Sequence, residues 1–178
     1  LLSTLFLLSR DTQDAIAPEL GARMGGGDTR ERVRGPSYAG VTDRGEMITL
    51  TAEMARPETD GRIVADTVRA ILTLGDGTRI ELDAPRAILA DTEDEARLEG
   101  GVEITSTNGY RLRTEGMVAT LDGVGGRTLG PVEGEAPAGT LAAGALAIEP
   151  GDAPDAVQLL FTEGVKMIYV PKSRPEAP

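Results

Sequence analysis

Between Tyr38 and Pro171 the chain sets apolar residues at every second position, and turn-forming residues cut this pattern into short lengths. Successive side chains of a strand point to opposite faces, so such a segment buries one face and leaves the other in water. Ile48-Thr49-Leu50-Thr51-Ala52, Ile80-Glu81-Leu82-Asp83-Ala84, Val102-Glu103-Ile104-Thr105, Tyr110-Arg111-Leu112-Arg113-Thr114 and Val165-Lys166-Met167 all obey the rule. It puts Ile48, Leu50, Ile80, Leu82, Val102, Ile104, Leu112, Val165 and Met167 on an inward face. Glu81, Asp83, Glu103, Arg111, Arg113 and Lys166 fall on the solvated one. Asn108-Gly109 is the strongest hairpin signal, because both central positions of a type I′ turn need positive φ. Gly75-Asp76-Gly77-Thr78, Asp43-Arg44-Gly45, Asp122-Gly123 and Pro150-Gly151-Asp152 mark further reversals. The fold class is all-β, built from short, regularly spaced strands.

A repeat underlies the alternation. Leu50-x-Ala52-x-x-Ala55 returns as Leu82-x-Ala84-x-x-Ala87, Leu112-x-Thr114-x-x-Met117 and Leu141-x-Ala143-x-x-Leu146, the leucines lying 32, 30 and 29 residues apart. A second motif alternates with it: Leu98-Glu99-Gly100-Gly101-Val102-Glu103-Ile104 resembles Phe161-Thr162-Glu163-Gly164-Val165-Lys166-Met167, with Leu129-Gly130-Pro131-Val132-Glu133-Gly134 as a weaker copy. Units of roughly 30 residues hold two or more strands with their turns, and units that bury a face against neighbours give an elongated β architecture.

Composition narrows the chemistry. The 178 residues contain no His, Cys or Trp, which excludes Ser-His-Asp and Cys-His nucleophiles, Cys/His zinc sites and haem or iron–sulfur ligation. No catalytic residue, metal or cofactor is expected. Twenty-nine acids against 18 bases give a net charge of −11, and only 3 % of residues are aromatic. Nucleic acid wants basic grooves and stacking rings, so it is not an expected partner. The acidic run Asp91-Thr92-Glu93-Asp94-Glu95 raises a carboxylate-based hydrolase as one reading, but it suits a solvated loop better.

At the N-terminus Leu1-Leu2-Ser3-Thr4-Leu5-Phe6-Leu7-Leu8 is apolar, and Ser9-Arg10-Asp11 ends it. Eight residues do not cross about 30 Å of hydrocarbon, which takes roughly 20 in a helix. Residues 1–10 are read as the exit end of a membrane-spanning helix. A signal-peptide core and a short core element are the alternatives, and no A-x-A-like cleavage site follows to favour the former. Residues 11–35 read as a polar tether, with Gly25-Gly26-Gly27 opposing a continuous helix; Arg30, Arg32 and Arg34 read first as an ordinary solvated charge run, and touch anionic head groups only if the tether stays near a membrane. Residues 36–172 form the β domain and 173–178 a disordered tail.

The order of apolar segment, polar tether and β repeats resembles the LptC family of the lipopolysaccharide export system. Two stretches carry the likeness: residues 36–52, from Pro36-Ser37-Tyr38 to Leu50-Thr51-Ala52, and the Leu98-Glu99-Gly100-Gly101-Val102-Glu103-Ile104 motif, whose form is shared with LptA and the N-terminal part of LptD. The resemblance implies an elongated, twisted antiparallel β-jellyroll, V-shaped and open along one side, in the bacterial periplasm on a single-pass inner-membrane anchor. It implies that lipopolysaccharide acyl chains bind between two sheets and pass to LptA. LptF and LptG, driven by ATP hydrolysis in LptB, would dock at the N-terminal end. The chain is poorer in aromatics than such a groove suggests.

On this reading Ile48, Leu50, Ile80, Leu82, Val102, Ile104, Leu112, Val165 and Met167 are the candidate acyl-chain contacts. Ala52, Ala84, Ala119 and Ala143 would leave room for a chain, and Arg69, Arg79 or Arg86 would meet lipid A phosphates. Burial of acyl surface at about 25 cal/mol per Å² supplies affinity without charged contacts, which a chain of this net charge requires. Val165-Lys166-Met167-Ile168-Tyr169-Val170 is the most continuous β-forming run and stops at Pro171. Val165, Met167, Ile168, Tyr169 and Val170 are the candidate docking edge for LptA by strand addition, which the family implies. The alternative of another class is a self-assembling β-solenoid scaffold without a lipid ligand.

Overall fold

The computed structural model describes residues 32–90, 94–121, 123–153 and 156–171. The expected anchor, most of the expected tether and the tail lie outside the described residues. Within them no helix is long and apolar enough to cross a membrane.

Thirteen strands join in one antiparallel sheet, and the described residues hold no helix. They are β1 (Val33–Arg34), β2 (Ser37–Val41), β3 (Met47–Pro57), β4 (Arg62–Thr73), β5 (Arg79–Ala90), β6 (Glu95–Ser106), β7 (Arg111–Thr120), β8 (Gly126–Thr128), β9 (Val132–Ala136), β10 (Gly139–Ala143), β11 (Ala145–Pro150), β12 (Val157–Thr162) and β13 (Lys166–Tyr169). The sheet stays open, as an open antiparallel β-jellyroll does. β1, assigned to the tether from sequence, pairs through Val33 and Arg34 with Ala55 and Met54 of β3.

One line of irregularities crosses β3 to β7, passes between the later strands, and folds this sheet in two. In β4 the pairing skips Thr67, whose φ is 52°. The β5–β6 register slips between Asp83 and Arg86, and the β6–β7 register between Glu99 and Val102, at Gly100-Gly101. β7 then pairs through residues 117–119 with β8 and through 111–114 with β9. The same line passes between β8 and β9, at Gly144 between β10 and β11, and at Glu163-Gly164 between β12 and β13. The two register slips are bulges, which bend and twist a strand, and with the left-handed Thr67 they mark the line along which the sheet turns into two facing layers. The two layers are β2 with the residue 47–52, 68–73, 79–84, 102–106 and 111–114 segments, β9, β10 and β13; and β1 with the other halves, β8, β11 and β12.

The inner faces of the layers meet in one core. Leu112, Met117, Leu146, Val102 and Val132 are its largest fully buried side chains. The repeated leucines occupy a single cross-strand row, Leu50–Ala70–Leu82–Ile104–Leu112–Gly134–Leu141. Their spacing near 30 residues is therefore one strand out and one strand back. Outside, Arg69 meets Asp83 at 2.8 Å and Glu81 at 3.0 Å, and Arg113 meets Glu103 at 3.2 Å. Exposed pairs of this kind contribute about 0–1 kcal/mol each, so the fold rests on the buried face.

Four hairpins share one loop. Residues 43–45, 59–61, 75–77 and 107–109 each close with the third residue's N–H donating to the residue before the loop, as Gly109 does to Ser106 at 3.0 Å. That third residue is Gly45, Gly61, Gly77 or Gly109, each with φ between 83° and 102°. This is the three-residue hairpin, a type I turn followed by a left-handed residue, which glycine enters without a Cβ penalty. The two-residue type I′ turn expected at Asn108-Gly109 is thereby corrected: Ser106 pairs with Tyr110, and Gly109 alone takes positive φ.

Candidate functional site: an apolar cleft between the layers

The layers do not close equally along their length. Where Leu, Ile and Val face one another, around Val102, Leu112 and Val132, the core is shut. Toward the first strands the facing rows are rich in alanine: Ala52, Ala70 and Ala84 from one layer, Ala55, Ala65, Ala87, Ala96 and Ala119 from the other. Short side chains cannot fill the gap between the layers, and a cleft remains.

Its walls are almost wholly apolar, and no Asp, Glu, Lys or Arg side chain lines it. Leu50, Leu72, Ile80 and Leu82 come from one layer, Ile63, Leu89, Leu98 and Met117 from the other, and Ile148 of β11 joins them. At the free N-terminal edge Pro36, Ser37 and Tyr38 complete the lining. Tyr38 lies along its own strand over Gly40, where any Cβ would collide with the ring. The cleft encloses about 1260 Å³ of atom-free space with its open mouth included, of which a water-sized sphere reaches about 150 Å³. The smaller volume matches an apolar cavity able to hold a benzene ring. A long alkyl chain therefore needs the layers to part further.

The nine candidate contacts fall into three places. Ile48, Leu50, Ile80 and Leu82 line the cleft. Val102, Ile104 and Leu112 sit in the shut core at 1 %, 4 % and 0 % exposure. Val165 and Met167 lie at the C-terminal edge, about half exposed. Of the four candidate alanines, Ala52, Ala84 and Ala119 line the cleft, whereas Ala143 is buried in the shut core. Arg69 is engaged on the outer face by Asp83 and Glu81, away from the cleft.

Sequence reasoning missed Tyr38, Ile63, Val68, Leu89, Leu98 and Val124. Most stand beyond the fold line, where the alternation changes phase. In β5 the inward positions run Ile80, Leu82, Ala84 and then Ala87, Leu89, so a strict period of two points Leu89 outward. The x-x gap in the repeat marked this change.

The candidate docking residues lie on β13 and just beyond it. Among the described residues β13 pairs with β10 alone, and the Val170 N–H ends the ladder at the Ala138 carbonyl, 3.1 Å away. Met167, Ile168, Tyr169 and Val170 are each more than half exposed. The outer side of this strand is an unpaired ladder flanked by apolar side chains. Compared with models of known families and with curated proteins, the chain matches neither.

Proposed function

We propose that this protein carries lipopolysaccharide, holding lipid A acyl chains in the cleft between its two layers and relaying them toward a partner that adds to the β13 edge. The observation that supports the reading most is the cleft itself. It is apolar, lacks charged lining, and runs to a sheet edge rather than ending as a sealed void. Acyl chains need such walls, and transfer between proteins needs an open end. In the LptC-like arrangement the ABC transporter formed by LptF, LptG and LptB feeds the N-terminal edge near Tyr38, and LptA takes the β13 edge.

The net charge of −11 directs the affinity to the chains. An acidic surface repels lipid A phosphates, so burial of alkyl surface must outweigh that repulsion. Site-specific photocrosslinking in cells tests the reading. Crosslinkers at Leu50 and Leu82 should yield lipopolysaccharide adducts, whereas one at Leu112 should not. Absence of adducts from every cleft position overturns the proposal. A self-assembling scaffold would instead give protein–protein adducts from the two edges and none from the cleft.

A further inference from the structure

The hairpin joining β2 to β3 carries the one buried charged side chain among the described residues. Glu46 is 2 % exposed and Thr42 5 %. The Thr42 hydroxyl donates to the Glu46 carboxylate, and the Glu46 N–H donates back to Thr42 Oγ1 at 3.2 Å. Burying a carboxylate is costly unless it is paired and hydrogen-bonded. Its second oxygen faces Arg44 Nε at 3.8 Å. Arg44 in turn reaches out of its own layer: Nη2 donates to the Ala153 carbonyl at 2.9 Å and stands 3.5 Å from that of Gly151. Those carbonyls belong to the connection between β11 and β12, in the opposite layer and more than a hundred residues along the chain.

This contact joins two segments that lead directly into strands lining the cleft. Ile48 follows the hairpin on β3, Ile148 precedes the β11–β12 connection, and both line the cleft. Arg44 ties together the two tips that must separate if the layers are to part beside them. Glu46 and Thr42 hold the guanidinium in place, which explains why a carboxylate is buried at a hairpin tip. The cleft as it stands is narrow, and admission of a long chain requires the widening that this tie opposes.

We propose that Arg44 is a clasp: bonded across to the 151–153 backbone it holds the layers together, and its release opens the cleft to an apolar chain. The proposal rests on the cleft being a binding site, and lipopolysaccharide enters it only as the natural occupant. Arg44→Ala removes the clasp. Because the chain has no Cys, the double variant Arg44→Cys/Ala153→Cys joined by a reducible bis-thiol linker locks it. Uptake rates are measured by stopped flow with the dye N-phenyl-1-naphthylamine, and separately with lipopolysaccharide micelles, after circular dichroism has verified the fold.

Dye uptake should be about tenfold faster in Arg44→Ala and about tenfold slower in the linked form, returning when the linker is reduced. A dye rate within twofold of the unmodified protein in the linked form overturns the clasp, even if Arg44→Ala fails to fold. Absence of dye uptake in every form overturns it as well. Clasp-dependent dye uptake with no lipopolysaccharide binding sustains the clasp and sinks the lipopolysaccharide reading. Lipopolysaccharide binding at equal rates in all forms does the reverse.

Discussion

Asp76 shows how single side chains fix the hairpins. Its carboxylate accepts the Thr78 N–H at 2.8 Å and the Thr78 hydroxyl at 3.0 Å, closing the loop against itself. Asp60 does the same with Arg62, accepting its guanidinium at 2.7 Å and its N–H at 3.2 Å. Both bonds favour the charged form. Asp60 is held below the usual carboxylate value chiefly by the Arg62 side chain, and Asp76 chiefly by the Thr78 backbone N–H. A carboxyl lowered in the folded state lends stability fully present above its unfolded pKa of about 3.9. That contribution fades as the pH falls through the lowered folded value. The urea midpoint of Asp76→Ala should therefore lie below that of the unmodified protein at pH 7, and the gap should narrow at pH 2.5. An equal gap at both would assign the effect to turn geometry rather than charge. Gly45, Gly77 and Gly109 were legible from sequence as turn glycines, because only glycine enters positive φ freely, whereas the equivalent Gly61 was not marked. The turn type at Asn108-Gly109 was not, since it depends on Ser106 pairing with Tyr110, and pairing is a property of both strands.

Among the elements, the repeat h-x-h-x-x-h is the sequence of a bent strand. Leu50, Ala52 and Ala55 all face inward, as do Leu82, Ala84 and Ala87, and Leu112, Thr114 and Met117. A flat strand keeps one face at i, i+2 and i+4. At the fold line the inward face changes phase, so it reappears at i+5 rather than at i+4. The repeat could be read from sequence as a period, but its meaning needed the second layer. Edge chemistry also belongs to this scale. The Val170 N–H bonds to Ala138, just before β10, and ladder bonds of antiparallel strands alternate, so Ile168 also bonds inward while Met167 and Tyr169 present their N–H and C=O outward. Tyr169→Pro should remove an outward donor while sparing the β10 ladder, and so abolish co-purification with an LptA-type partner at unchanged melting temperature. Ile168→Pro should instead lower the melting temperature, because it breaks a native bond. Undiminished partner capture by Tyr169→Pro would remove β13 as the docking edge.

At the scale of the whole molecule, one inward face serves two purposes, and side-chain size decides between them. The alternation identified which residues turn inward. It carried no information on the distance between layers, and so could not part Leu82 in the cleft from Leu112 in the shut core. Where both layers present bulky apolar side chains, as at Val102, Leu112 and Val132, these are fully buried and fill the gap. Where both present Ala, the backbones are held apart by their neighbours and the gap stays open. The two regions should then answer oppositely to changes in volume. Leu112→Ala leaves a void at a site with 0 % exposure and should cost about 2–5 kcal/mol of stability, with dye affinity unchanged in the protein that remains folded. Ala70→Trp, on the same cross-strand row but in the cleft, adds bulk to empty space. It should shift stability by less than about 1 kcal/mol, yet weaken N-phenyl-1-naphthylamine binding at least tenfold. Urea denaturation and dye titration on the same two variants read both effects. A Trp at position 70 that destabilises the fold as severely as Leu112→Ala would mean that the layers are closed there too, and that the cleft is no more than loosely packed core.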